Sequence, residues 1–219
     1  MIQRTRQFLV LVVLVLVAAP SALGQTPDPL EAVCDLSRSL TAYSATIRMT
    51  QHHGNDHSVI EFTFDFVPPD QMRIEYTAPA SVDGQRILLN ADQFYSYIPS
   101  LRRHVWQTVG EGASNPGEDM GFLFDFVTRA AFEAFAEADV QISETREAFE
   151  LPNVEEPLEV DVLTLLSETG RQIIRLNAQD AAPVEISIYG GDNLAMEILV
   201  LDYLLNGAFE EAWFAIPEK

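Results

Sequence analysis

Apolar and polar residues alternate along Ile60-Glu61-Phe62-Thr63-Phe64-Asp65-Phe66, so that Ile60, Phe62, Phe64 and Phe66 share one face of a strand while Glu61, Thr63 and Asp65 share the other. Ala45, Ile47 and Met49 alternate in the same way with Thr46, Arg48 and Thr50, and Met72, Ile74 and Tyr76 with Arg73, Glu75 and Thr77. A wide sheet with one apolar face needs a second layer or a ligand against it. The pattern predicts strands over Tyr43 to Gln51, Ile60 to Phe66, Gln71 to Thr77, Arg86 to Asn90, Phe94 to Ile98 and Arg102 to Thr108, joined at Gly54-Asn55-Asp56, Pro68-Pro69-Asp70 and similar turn clusters. Five more follow over Val140 to Phe149, Leu158 to Ser167, Gln172 to Asn177, Val184 to Tyr189 and Ala195 to Leu204, with Gly190-Gly191-Asp192-Asn193 as the last hairpin turn.

Helical spacing occurs twice. Leu30, Val33, Cys34 and Leu40 fall within Pro29 to Thr41, where Asp28 is the expected N-cap before a proline at the first helical position. Phe122, Leu123, Phe126 and Val127, with Phe132 and Phe135, predict one or two short apolar helices interrupting the sheet after the loop Gly110 to Gly117. The expected class is mainly β with some α: a strongly curved antiparallel sheet forming a half-open barrel, with an N-terminal helix and short lid helices. So few helices over so many strands leave an apolar face with volume that a lipid chain could occupy.

Residues 1–24 read as a signal peptide: Arg4 and Arg6, an apolar run from Phe8 to Val17, and the small-residue site Ala22-Leu23-Gly24. That run is shorter than the roughly 20 residues of a membrane-spanning helix. The expected product is a single exported, soluble domain over residues 25–219. The single cysteine, Cys34, cannot form an internal disulfide, and it lies too far past the apolar run to be a lipidation site. It is expected to be an inert thiol on the helix stripe.

With 33 acidic and 13 basic residues the chain carries a formal charge of −20. This excludes nucleic acid as a partner and disfavours docking on anionic headgroups. Metal and catalytic signals are weak. His52 and His53 are adjacent in a strand and face opposite ways, so only one of them could meet His57, short of the three protein ligands of a catalytic zinc site. Glu155, Glu156, Glu159 and Asp161 are expected to form a solvated rim, since the ligand spacing of a calcium loop is missing. His104 has no nucleophile partner that sequence can name, and no nucleophile elbow, phosphate loop or dinucleotide fingerprint occurs. No enzymatic activity, metal or cofactor is expected.

Three segments resemble the LolA/LolB-like superfamily of periplasmic outer-membrane lipoprotein carriers. Leu40-Thr41-Ala42-Tyr43-Ser44-Ala45 is similar to that family's junction of N-terminal helix and first strand. Pro69-Asp70-Gln71-Met72-Arg73-Ile74-Glu75-Tyr76-Thr77-Ala78-Pro79 is similar to its P-x-x-(F/M)-R-(W/I)-x-Y-x-x-P, and Leu88 to Pro99 follows where the family has V-x-D-G-x-x-(L/F)-W-x-Y-x-P. Leu205-Asn206-Gly207 and Phe209-Glu210-Glu211-Ala212-Trp213-Phe214 to Pro217 resemble its closing N-x-x-(I/L)-D-D-x-x-F-x-x-x-P.

The resemblance covers nearly the whole mature chain and implies a monomeric carrier that shields acyl chains of lipoproteins or lipids between an inner-membrane donor transporter and an outer-membrane acceptor. By alternation, the lining would comprise Ile47, Met49, Phe62, Phe64, Phe66, Met72, Ile74, Tyr76 and Leu89, with Phe122, Leu123 and Phe126 in the lid. Where the proteobacterial carriers have a lid-latching arginine at the end of the second strand, this chain has Pro68, and Arg48 and Arg73 lie on the opposite alternation phase. The competing expectation is a sensor or regulatory module of the same fold that binds a protein. Such regulators usually carry an additional C-terminal domain, whereas this sequence runs to Lys219 directly after the closing motif.

Overall fold

A computed structural model describes residues 28–108, 141–152, 154–167 and 170–218. Helix α1 (Pro29–Ser39) begins at Asp28, whose carboxylate accepts from the N–H groups of Leu30 at 2.9 Å and Glu31 at 3.4 Å. These are two of the donors that a helix start leaves unpaired. The helix ends two residues before the expected Thr41, because Leu40 is already extended and leads into the sheet.

The strands are β1 (Tyr43–His53), β2 (Asp56–Val67), β3 (Gln71–Ala78), β4 (Arg86–Asn90), β5 (Gln93–Ile98), β6 (Arg103–Thr108), β7 (Gln141–Phe149), β8 (Leu158–Ser167), β9 (Gly170–Asn177), β10 (Pro183–Gly190) and β11 (Asn193–Leu205). They form one curved, unclosed antiparallel sheet in the order β6-β5-β4-β3-β2-β1-β11-β10-β9-β8-β7. Each neighbour is also the neighbour in sequence, except at the centre, where the first strand pairs with the last. The expected lid helices fall outside the described residues.

The inner face of the sheet is the one that carries α1. Val33 is buried there, and Leu30, Cys34 and Leu36 pack around it against strand residues. Cys34 takes a half-buried place on the core-facing stripe. A second, smaller core lies on the outer face of the C-terminal strands, where Leu151 joins Val160, Val162 and Val184. The sequence expectation of a single apolar face is therefore incomplete for β8 to β10.

After β11 the chain turns at Asn206 in a left-handed conformation (φ 56°) and crosses the outer face as a strap that includes a short 3-10 turn, Glu211–Phe214. Asn206 Oδ1 accepts from the Thr41 N–H at 2.7 Å and the Thr41 hydroxyl at 2.9 Å, while the Asn206 N–H donates to the Ala42 carbonyl at 2.7 Å. Asparagine suits that backbone, and its side chain ties the helix–strand junction to the end of β11. Asn206→Ala should lower the unfolding free energy by about 1–2 kcal/mol, through the lost hydrogen bonds and the left-handed strain. A urea titration showing no shift in midpoint would contradict this.

Candidate functional site

Register sets the inner face in rows. Tyr43 stands opposite Phe66, which pairs in turn with Met72, Leu89 and Phe94 along successive strands. The next row runs Ala45, Phe64, Ile74, Ile87, and the next Ile47, Phe62, Tyr76. At the far end Ile60 and Met49 continue across the central seam into Ile198, Ile186, Ile174 and Leu163. All nine described members of the expected lining thus share one face and one apolar cluster. Phe64 and Ile74 are wholly buried, and Tyr76 and Leu89 are half-buried at its margin. Phe122, Leu123 and Phe126 lie outside the described residues.

Over β1 to β4 the outer face carries opposite charges in register. Asp65, Arg73, Leu88, Tyr95 and Trp106 form one row. Asp65 is 4% exposed, yet both its oxygens are occupied: Ser44 Oγ donates to Oδ1 at 2.6 Å and Trp213 Nε1 to Oδ2 at 2.8 Å. The Arg73 guanidinium lies 3.9 Å from the Trp213 ring centre, a cation–π contact that presses the strap onto β3. Asn90 Nδ2 donates to the Phe214 carbonyl at 3.3 Å and Trp106 Nε1 to the Pro217 carbonyl at 2.9 Å, and Phe214 itself is buried.

Arg73 and Arg86 also hold Glu75 at 2.5 and 3.0 Å. Burial pushes the Glu75 carboxyl up, but the two guanidinium groups outweigh it and keep it below its ordinary range. Arg48 pairs with Glu61 at 2.7 Å. Neither Arg48 nor Arg73 is on the inner face, in keeping with their alternation phase.

The polar side chains singled out in the sequence take ordinary structural places. His52 stands opposite His57 across the hairpin, and His53 is exposed opposite Asp56. His104 Nδ1 is 2.9 Å from the Tyr95 hydroxyl, with its ring between Tyr97 and Trp106. Glu155, Glu156 and Glu159 are exposed as expected, but Asp161 departs from the solvated rim: Arg146 grips it with two hydrogen bonds of 2.7 and 2.9 Å. Among the described residues no three of His, Cys, Asp and Glu are grouped so that they could hold a metal ion, and no helix is long and apolar enough to cross a membrane.

One polar cluster at the end of the sheet was not visible in the sequence. The Tyr203 hydroxyl donates to Asp180 Oδ2 at 2.8 Å and accepts from Asn177 Nδ2 at 2.7 Å. Burial, then the Asp180 hydrogen bond, raises Tyr203 to about 12, against the Asn177 hydrogen bond, which lowers it. Burial, then the Tyr203 and Asp180 charges, pushes Tyr43 up as well. Both phenols favour the folded state fully below their unfolded value of 10.0, and that contribution is lost as pH rises through the raised values. Urea midpoints should therefore fall steadily from pH 10 to pH 12, and less steeply in Tyr203→Phe.

No protein-family model matches the chain, and no curated protein does. Solved structures share its architecture. That of an uncharacterized conserved protein from Thermus thermophilus superposes with a TM-score of 0.51 at 12% identity, over 87% of this chain and 93% of the other. This chain has the fold of that protein. MucB superposes with the same TM-score at 12% identity, over 87% of this chain but only 62% of MucB. A LolA superfamily protein from Nitrosomonas europaea aligns over 86% of this chain and 96% of its own, at 11% identity and a TM-score of 0.39. At such identities the likeness is one of fold alone.

Proposed function

We propose that this LolA-like domain is a periplasmic carrier, released by removal of residues 1–24, that binds acyl chains of lipoproteins or lipids on its inner face and transfers them towards the outer membrane. The donor would be an inner-membrane transporter and the recipient an outer-membrane acceptor. The observation that supports this is the continuous apolar cluster of the inner face, which runs from Phe94 through Phe66 and Phe64 to Leu163. Transfer of an acyl chain from water onto such a face gains about 0.8 kcal/mol per methylene. Because these side chains are buried, a bound chain exchanges places with groups that now cover them, Leu30, Val33 and Leu36 of α1 among those.

Native mass spectrometry with lipid extraction, on protein purified from its own periplasm without detergent, tests the reading. A stoichiometric lipid or acylated-peptide adduct is expected. A clean apo mass that persists after incubation with lipids and lipopeptides would overturn the carrier. It would leave a protein-binding module in the manner of MucB, whose structure in complex with MucA is known.

A further inference from the structure

Two buried hydroxyls stand out against the others in this fold. Tyr95 meets His104 Nδ1 at 2.9 Å, Tyr203 donates to Asp180 at 2.8 Å, and on α1 the Ser39 hydroxyl turns back to the Leu36 carbonyl at 3.1 Å. The Tyr43 and Ser37 hydroxyl oxygens are buried too, but neither has a hydrogen-bond partner among the described residues. A buried hydroxyl left unpaired weakens the fold that holds it, so each calls for a reason.

Both belong to the seam between α1 and the inner face. Tyr43 is 3% exposed, is a member of the apolar cluster of that face, and has its ring 6.1 Å from that of Phe64. Ser37 lies one helical turn beyond Val33 and two beyond Leu30, on the stripe by which α1 packs against the sheet. A serine there can turn back to a carbonyl of its own helix, as Ser39 does, yet Ser37 keeps its hydroxyl unspent. Only Arg38 to Ala42 separates the two in the chain, so they flank the helix–strand junction.

Position says what they could meet. Tyr43 opens β1 opposite Leu205, the last residue of β11, and so stands at the rim of the sheet. From that rim Ala45, Ile47 and Met49 continue the inner face for about 20 Å, a floor on which a long acyl chain lies lengthwise. The ester carbonyls of an acylated glycerol sit at one end of such chains and carry acceptors but no donor. The hydroxyls at the rim are donors without an acceptor.

Resting on the carrier reading, we infer that Tyr43 and Ser37 recognise the ester carbonyls of a diacylglyceryl group, each donating one hydrogen bond, while the hydrocarbon replaces α1 side chains along the inner face. Both hydroxyls then gain the partner that the unliganded fold denies them. The same hydrocarbon attached through ether links has no carbonyl to offer and is bound less well.

The test incubates the mature chain with mixed vesicles holding equal amounts of diester phosphatidylethanolamine, its diether analogue with identical chains, and a diacylglyceryl-cysteine peptide, and quantifies protein-bound lipid by mass spectrometry. Excess of either diester over the diether, by about tenfold, is expected of the wild type, and the dominant diester tells phospholipid from lipoprotein. Tyr43→Phe and Ser37→Ala should each lower the excess by about threefold, and together bring it close to one, with recovery of the diether unchanged. Since both substitutions remove only unpaired hydroxyls, urea midpoints should stay where they are or rise. Equal recovery of diester and diether by the wild type, an unchanged excess in the double variant, or a lowered midpoint in both single variants overturns the carbonyl site and leaves the carrier standing. Recovery of no lipid at all removes the carrier reading and this site with it.

Discussion

Replacing Phe64 by alanine should lower the unfolding free energy by about 3–5 kcal/mol, the range for truncating a buried phenylalanine. Phe64 is 0% exposed, stands between Ala45 and Ile74 in the register, and touches the rings of Tyr43 and Phe66 at centroid distances of 6.1 and 6.2 Å. It sits in the middle of the inner face, where neighbours on adjacent strands are fixed by the hydrogen-bond ladder and cannot collapse inward to fill the space. A urea titration reads the loss directly. A change below about 1 kcal/mol would mean that the site relaxes freely and that the face is much less tightly packed than its burial indicates. The variant also bears on the carrier: a hole in the face should alter which acyl chains it takes before it abolishes uptake.

Arg175→Met should be comparably damaging, by about 3–5 kcal/mol, for an electrostatic reason. Glu185 is 4% exposed on β10, and Arg175 Nη1 reaches its Oε2 at 2.5 Å while Nε reaches Glu147 at 2.8 Å. The Ser187 hydroxyl donates to the other Glu185 oxygen. Without the guanidinium, a buried carboxylate keeps a single neutral donor. Restoring charge balance with the double variant Arg175→Met, Glu185→Leu should recover most of the loss, because a paired apolar replacement of a buried ion pair is often near neutral. Equal damage in the single and double variants would show that the stacking of the Arg175 guanidinium over Phe149, at 5.0 Å from the ring, matters more than its pairing with Glu185.

Much of this fold was legible in the sequence because it is written in the shortest possible repeat. Strands β4 and β8 occupy the expected residues, and the other strand ends move by two residues or fewer, apart from β2, which starts at Asp56 because the hairpin turn holds only Gly54 and Asn55. Alternation also assigned Ile47 through Leu89 to one face and Arg48 and Arg73 to the other. What it could not reach was contact between distant segments. Trp213 meets Asp65 across 148 residues of chain, and nothing near either residue announces the other. The outer core failed for a different reason: Val162-Leu163 breaks the alternation, and both residues are buried, one on each face. Glu185 and Ser187 hid that signal in β10 by being polar and buried, which only the arginine on β9 explains.

The pairing of β1 with β11 at the centre of the sheet bears on the order in which the chain acquires its structure. Strands β2 to β6 and β7 to β10 are joined to their neighbours through local hairpins or nearby loops, whereas Tyr43 meets Leu205 only after the intervening polypeptide has been brought round. Local contacts form early and remote ones late, and folding slows as remote contacts multiply. Two separate arms would then assemble first, each with half of an apolar surface bare, and the seam between them would zip last. Until β11 arrives, neither arm has its partner, so the interval before seam closure is when this chain is most exposed to aggregation and most dependent on holding chaperones.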